Sequence, residues 1–143
     1  MDRIVIDTNI FVSALLNRNG APREVLRLAL RREVQPVFSA ALFTEYEDVL
    51  ARESLFARCP LDAAERGALF DALLSVSEWV RIHFLWRPNL PDEADNHVIE
   101  LAVASAAIAV ITANLADFKQ AELLFPGLTI CDAGTYLKER KST

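Results

Sequence analysis

The sequence predicts an α/β protein: three layers, with a five-stranded, mostly parallel sheet and helices on both faces. Three observations carry that prediction. Short apolar runs at 4–6 and 108–112 have the two-sided character of strands covered on both faces, and 128–130 reads as a further short strand. Between the strand-like runs, apolar residues recur at helical spacing. The two patterns alternate along the chain, and that alternation calls for parallel strands joined by crossover helices. At 143 residues the chain is expected to form a single domain, 1–143, long enough to bury a substantial core.

Taken in order, Ile4-Val5-Ile6 runs straight into Asp7-Thr8-Asn9, and Ile10, Phe11, Ala14 and Leu15 then fall at helical intervals. Asp7 is therefore predicted at the carboxyl end of a buried strand, just before a helix, where open α/β sheets bind their ligands. Asn17-Arg18-Asn19-Gly20 is a turn by composition, and Pro22 suits the first turn of a second helix. Val25, Leu26, Ala29 and Leu30 give that helix its core face. Arg23, Arg27 and Arg31 form a ridge on another side, read first as a solvated basic face and second, with Arg18, as a contact for nucleic acid or an acidic partner.

Residues 35–39 predict a second strand with Pro36 at its start, and Ser39 is placed to cap the third helix. That helix carries Leu42, Tyr46, Val49 and Leu50 as its apolar stripe, with Glu45 beside the stripe. Residues 52–60 read as a loop. Leu61-Asp62 opens a fourth helix, with Leu69, Ala72, Leu73 and Val76 inward. Residues 79–84 alternate weakly as a third strand. Pro88 and Pro91 exclude regular structure before Asp92. Asp92 and Asp95 have the spacing of a helix cap, and Val98, Ile99, Ala102, Val103 and Ala106 follow as a buried face. After the fourth strand, Asn114-Leu115-Ala116-Asp117 starts a short helix. Phe125-Pro126-Gly127 is a turn before the fifth strand, and residues 132–138 form the last helix.

Bulk properties narrow the function. Composition is 52% hydrophobic and 24% charged, as in a compact globular domain. A net charge of −5 excludes nucleic-acid binding through overall charge, but not through a local basic patch or a metal. Cys59 and Cys131 form no CxxC pair, so zinc-ribbon and thioredoxin readings fail, and both are expected to be reduced. Met1-Asp2-Arg3 leads directly into a strand with no secretory pattern, and the apolar run 101–113 is shorter than the ~20 residues that span a bilayer. The expectation is a cytoplasmic protein with no membrane partner.

The functional signal is a set of acids. Asp7 follows strand one, Glu45 lies on the helix after strand two, Asp95 with Asp92 opens the helix before strand four, and Asp117 opens the helix after it. A parallel sheet brings most of them to its carboxyl end. Two carboxylates ~5 Å apart repel by on the order of 3 kcal/mol at an effective dielectric of ~20, and a divalent cation removes that cost. All-oxygen ligation favours Mg²⁺ or Mn²⁺ over zinc, one or two ions, with water-mediated links from some of the acids. Singly, each acid has an ordinary explanation as a cap or a surface residue. Thr8, Asn9, Thr112 and Asn114 share the crevice, either orienting waters and acids or making local turn bonds. His97 reads as a surface histidine rather than a ligand, and His83 has no acidic company.

These motifs resemble the PIN domain family. Val5-Ile6-Asp7-Thr8-Asn9 is similar to its opening motif, Ser39-x-x-Leu42-x-x-Glu45 to its second, Asp92-x-x-Asp95-Asn96 to its third and Thr112-x-Asn114-x-x-Asp117-Phe118 to its fourth; Asp132-x-x-x-Tyr136-Leu137 resembles its ending. The branch it looks like is that of toxin components of bacterial toxin–antitoxin pairs, VapC-like ribonucleases. That resemblance implies a five-stranded parallel sheet, a Mg²⁺- or Mn²⁺-dependent endoribonuclease acting on RNA, homodimers, and inhibition by a cognate antitoxin. Asp7, Glu45, Asp95 and Asp117 become the catalytic and metal-binding acids, with Asp92 in support. Two departures stand out. Asn114 replaces an aspartate found in many members, which removes one possible ligand, and Ala106-Ala107-Ile108 lacks a glycine often seen there.

Rival readings are weaker. A haloacid-dehalogenase-type phosphotransferase wants an aspartate where Asn9 stands, and a receiver domain wants paired acids after the first strand. The stronger alternative is a non-catalytic PIN-like binding protein acting as a partner subunit, against which the near-complete acid set argues.

Overall fold

The computed structural model describes residues 1–82 and 96–141. The chain runs β1 (Arg3–Ile6), α1 (Thr8–Leu16), α2 (Ala21–Leu30), β2 (Gln35–Phe38), α3 (Ala40–Leu50), a 3₁₀ helix (Glu53–Phe56), α4 (Ala63–Ser75), β3 (Glu78–Trp79), α5 (Asn96–Ser105), β4 (Ala109–Ile111), a second 3₁₀ helix (Leu115–Phe118), α6 (Lys119–Leu124), β5 (Thr129–Cys131) and α7 (Ala133–Lys141). The strands form one five-stranded sheet in the order β3-β2-β1-β4-β5. Every pairing is parallel, in register Ile4↔Pro36, Val5↔Val110, Phe38↔Trp79 and Val110↔Ile130. Because crossovers between parallel strands are right-handed, α1 to α4 cover one face of the sheet and α5 and α6 the other.

The chain first builds outward from β1 through β2 to β3, then returns to add β4 and β5 on the opposite side. The reversal falls between β1 and β4. That is the topological switch point, where flanking helices diverge and leave a crevice beyond the carboxyl ends of the strands.

The core explains why the elements hold. Ile4, Val5, Val110 and Ile111 are wholly buried in the central strands, as expected for a sheet covered on both faces. Beside them lies an aromatic cluster. Tyr46 stacks on Phe70 with ring centroids 5.3 Å apart, Phe38 meets Tyr46 at 4.9 Å, Phe11 meets Tyr46 at 5.2 Å, and Phe43 stacks on Phe70 at 5.6 Å. Offset and tilted ring pairs of this kind add to the burial of apolar area.

Several sequence expectations change. The inward face of α4 is turned: Arg66, Phe70 and Leu73 are the buried residues, and Leu69 is only partly so. Spacing alone does not tell Leu69 from Phe70; the aromatic cluster makes the choice. The supposed loop at 52–60 contains the 3₁₀ helix Glu53–Phe56, because buried Phe56 and the Arg66 guanidinium anchor it. Arg66 lies 4.4 Å over the Phe56 ring and pairs with Glu53 at 2.8 Å. The third strand is two residues, Glu78–Trp79, rather than a run beginning at Trp79. His83, the proline-containing stretch, and the expected metal-binding acids Asp92 and Asp95 lie outside the described residues.

The end of α5 gives the missing glycine a physical meaning. Ala106 takes a left-handed φ of 56°. Ala107 N–H donates to the Ala102 carbonyl at 2.9 Å and Ala106 N–H to Val103 at 3.2 Å, the paired bonds of a Schellman cap. A side chain at that position is strained, and glycine is not. Among the described residues, no helix is long and apolar enough to cross a membrane.

Candidate functional site: a carboxylate crevice at the switch point

Asp7 is the residue where β1 ends and α1 begins. Its backbone N–H continues the sheet, donating to the Ile111 carbonyl of β4 at 2.9 Å. Its side chain caps α1, with Oδ1 accepting from Thr8 N–H at 2.8 Å. Oδ2 accepts from Thr112 Oγ1 at 2.8 Å and from Asn9 Nδ2 at 3.2 Å. Asp7 is thus clamped across the switch point by Thr8 and Asn9 of α1 on one side and by Ile111 and Thr112 at the end of β4 on the other. It is only 3% exposed.

Glu45 reaches the same crevice from α3. Oε1 accepts from Thr8 Oγ1 at 2.6 Å, and Oε2 meets His97 Nε2 at 2.6 Å. Thr8 therefore serves both acids, its amide on Asp7 and its hydroxyl on Glu45. With Glu45 ionised, His97 Nε2 carries the proton and donates it. Beneath the acids, Tyr46 OH donates to the Ile6 carbonyl at 2.7 Å, tying α3 to the end of β1.

The two carboxylates have opposite electrostatics. Burial pushes the Asp7 carboxyl above its usual range, and the negative charge of Glu45 adds to the rise; the bonds from Thr112 and Thr8 offset it only in part. Glu45 is also desolvated, but its bonds to His97 and Thr8 outweigh that and hold it below the usual glutamate value. Asp7 is thus a buried acid whose charge the protein leaves incompletely compensated.

Both acids line an open crevice of about 380 Å³, together with Thr8, Asn9, Ser13 and Asn114. Among the described residues, no three His, Cys, Asp or Glu side chains gather as a ready cation cage. Two carboxylates beside water still suit Mg²⁺, which keeps several waters and takes one or two carboxylates. Among the described residues no thiol lines the crevice, and the carboxylate, hydroxyl and amide oxygens there are hard donors.

The other sequence candidates fall around this pair. Thr8, Asn9 and Thr112 are bonded directly to the acids, and Asn9 also accepts from Ala113 N–H at 3.0 Å. Asn114 donates its backbone N–H to Thr112 Oγ1 at 3.1 Å and lines the crevice. Asp117 sits half-buried in the 3₁₀ helix beyond β4 and does not line the crevice. Arg23 Nε donates to the Ala14 carbonyl at 2.7 Å, while Arg27 pairs with Glu24 at 2.9 Å and donates to the Arg18 carbonyl at 3.2 Å. These arginines stitch α2 to the end of α1, where cations meet helix carbonyls favourably. Arg18 and Arg31 are exposed.

The residue that the sequence reading missed is His97. Read as a surface histidine, it is 19% exposed and bonded to Glu45. The pattern places it on α5 but cannot say that α5 packs its first turn against α3.

A parallel α/β protein with paired carboxylates clamped at the sheet's switch point belongs to the class whose sites are built from strand-end acids. The sequence matches the PIN domain over residues 3–116, and the chain belongs to that family. It is similar to the uncharacterized protein MJ1680 of Methanocaldococcus jannaschii, with 27% identity over 113 residues covering 76% of this chain and 68% of that protein. Its fold is similar to the crystal structure of VapBC2 from Rickettsia felis bound to a DNA fragment from their promoter, at a TM-score of 0.56 and 16% identity, covering 90% of this chain and 96% of that one.

Proposed function

We propose that the protein is a metal-dependent endoribonuclease that hydrolyses RNA phosphodiester bonds, and that it serves as the toxin of a VapC-like toxin–antitoxin pair. The observation that carries the reading is the Asp7–Glu45 pair, two desolvated carboxylates held by one threonine in an open crevice. PIN domains are generally nucleases that use divalent metals, and the Rickettsia felis neighbour is a VapBC assembly, which supports an antitoxin as partner.

Asp7 and Glu45 would hold one or two Mg²⁺ or Mn²⁺ ions, with Asp92, Asp95 and Asp117 as the further acids. Such an ion supplies Lewis acidity toward a phosphodiester and activates water as the nucleophile. Thr8 and Thr112 fix the orientation of the acids. His97 holds Glu45 in its ionised state and prevents it from turning away. Burial disfavours the Asp7 charge, and a bound cation would compensate it in place of the lost hydration. Homodimerisation and a cytoplasmic location belong to the same reading.

Cleavage of a single-stranded RNA with Mn²⁺, and its loss with EDTA, tests the activity. Asp7→Asn should lower kcat at least a hundredfold while the circular dichroism spectrum stays native. Calorimetric titration with Mn²⁺ separates the enzyme from a non-catalytic partner subunit. Full RNA cleavage by a folded Asp7→Asn protein, or no Mn²⁺ uptake by the wild type, would refute the reading.

A further inference from the structure

The acid crevice does not end at Glu45. Glu45 lines that crevice, and its bonded partner His97 lines a second cavity of about 360 Å³. The rest of its wall includes Trp79 of β3 and Arg81 just beyond it, Ser39, Ala40 and Ala41 where β2 turns into α3, and the buried Glu100 of α5. The two cavities are thus linked through a histidine–glutamate pair with its atoms 2.6 Å apart.

Trp79 is an unusual residue for this place. It is 56% exposed on the edge strand of the sheet, although it pairs in register with buried Phe38. Phe43 packs against the indole edge-to-face, with ring centroids 5.8 Å apart, and steadies it while leaving it open to solvent. The charged side chains that bear on this region besides His97 include Glu100, which lines the cavity from α5, Glu78 and Arg81. Glu78 is neutralised by Arg3, with bonds of 3.1 and 3.3 Å. Arg81 is exposed and has no ion pair among the described residues. The amino end of α3 adds positive potential: Ser39 caps Leu42 N–H, and the first-turn residues Ala40 and Ala41 line the cavity.

We propose that this second cavity holds a nucleotide neighbouring the cleaved bond of a single-stranded RNA, with its base stacked on Trp79 and its phosphate facing Arg81 and the first turn of α3. The inference rests on the ribonuclease reading and adds to it a positioning site for the strand. The chemistry favours this occupant. An exposed, braced aromatic face beside an unpaired guanidinium is the combination that binds unpaired bases without reading their sequence. An apolar protein segment would not need the cation, and a duplex would not offer an open base face. The net charge of −5 leaves phosphate recruitment to local groups such as these.

The test compares wild type with Trp79→Ala, Trp79→Leu, Trp79→Phe and Arg81→Ala in Mn²⁺-dependent cleavage of an RNA oligomer, with an oligomer abasic beside the scissile bond as control. Trp79→Ala and Trp79→Leu should raise KM roughly five- to hundredfold, with kcat within about threefold of wild type. Trp79→Phe should restore most of the loss, and the abasic oligomer should make wild type and Trp79→Ala alike. Arg81→Ala should weaken both oligomers equally. Binding is read separately, in an Asp7→Asn, Trp86→Phe background in which Trp79 is the sole tryptophan: oligouridylate should quench its emission. Quenching without cleavage would keep the stacking site and remove the nuclease reading. Cleavage with unchanged KM in Trp79→Ala and no quenching would remove the stacking site and keep the nuclease. A Trp79→Ala protein with unaltered KM and a smaller mass in sedimentation would assign this face to a second copy of the chain and overturn the proposal.

Discussion

The aromatic cluster and the carboxylate crevice meet at one residue, Tyr46, and they are built on opposite principles. Below the Tyr46 ring, Phe11, Phe38 and Phe70 pack at centroid distances of 4.9 to 6.3 Å, and the burial is apolar. At its hydroxyl, the chain buries Asp7, Thr8, Ser39 and Thr112 at the strand ends. Burial, and then the nearby charges of Asp7 and Glu45, push the Tyr46 phenol well above its usual range, so it stays a neutral donor to Ile6. The cluster supplies stability. The crevice costs some, because desolvated acids face each other there. The difference teaches that the cluster is the scaffold on which an electrostatically unfavourable site is held in place.

Breaking the cluster should produce the largest effect. Phe70→Ala removes a ring that touches four others and should destabilise the fold by about 3–5 kcal/mol, read by urea denaturation. A loss below about 1 kcal/mol would mean that the cluster is not the scaffold. Next comes the support of the crevice. His97→Gln should weaken Mn²⁺ affinity roughly ten- to hundredfold in calorimetry, with little change in stability, because His97 acts by orienting Glu45. Unchanged Mn²⁺ affinity would show that the Glu45–His97 bond is structural only.

The strained cap of α5 sharpens the contrast from outside both regions. Ala106→Gly should stabilise by about 1 kcal/mol, a rise in Tm of about 3 °C, because φ of 56° costs glycine nothing. A fall in Tm would refute the strain.

The smallest effect is diagnostic through its sign. The folded pKa of Asp7 is raised, so between the unfolded value of 3.8 and the folded one the native state binds more protons, and its contribution to stability falls as pH rises. Glu45, with a lowered folded pKa, works oppositely: its contribution is present above 4.5 and is lost as pH falls through the folded value. Asp7→Asn should therefore be as stable as wild type or slightly more so at pH 7, with the difference vanishing in acid below 3.8. Mn²⁺ should raise the Tm of wild type and not of the variant. A variant clearly less stable at pH 7 would show Asp7 to be a structural cap first.

Much of this was legible in the sequence. Ile4 to Ile6 could only be a covered strand, so Asp7 had to stand at its carboxyl end. Ser39 and Glu45, six residues apart on a strand-to-helix turn, had to follow β2 to the same end. Less was legible wherever helical spacing allowed two faces. Leu69 and Phe70 are adjacent, and only the rings of Phe11, Phe43 and Tyr46 select Phe70 for the core. His97 follows Asn96 on α5, and nothing in its spacing reveals Glu45 as its neighbour. Arg23 and Arg27 form a ridge in the sequence, yet the carbonyls at Ala14 and Arg18 draw them into the helix joint.

By itself, then, the sequence determined the order of strands and helices, the parallel sheet, and the place of Asp7 at the end of β1, because periodicity and capping are local properties of the chain. The tertiary structure decided which side chains meet: Thr8 shared between Asp7 and Glu45, His97 against Glu45, Trp79 left open on the edge. Those pairings join residues tens of positions apart. Their geometry is set by how the helices pack across the switch point, and no window of sequence contains that.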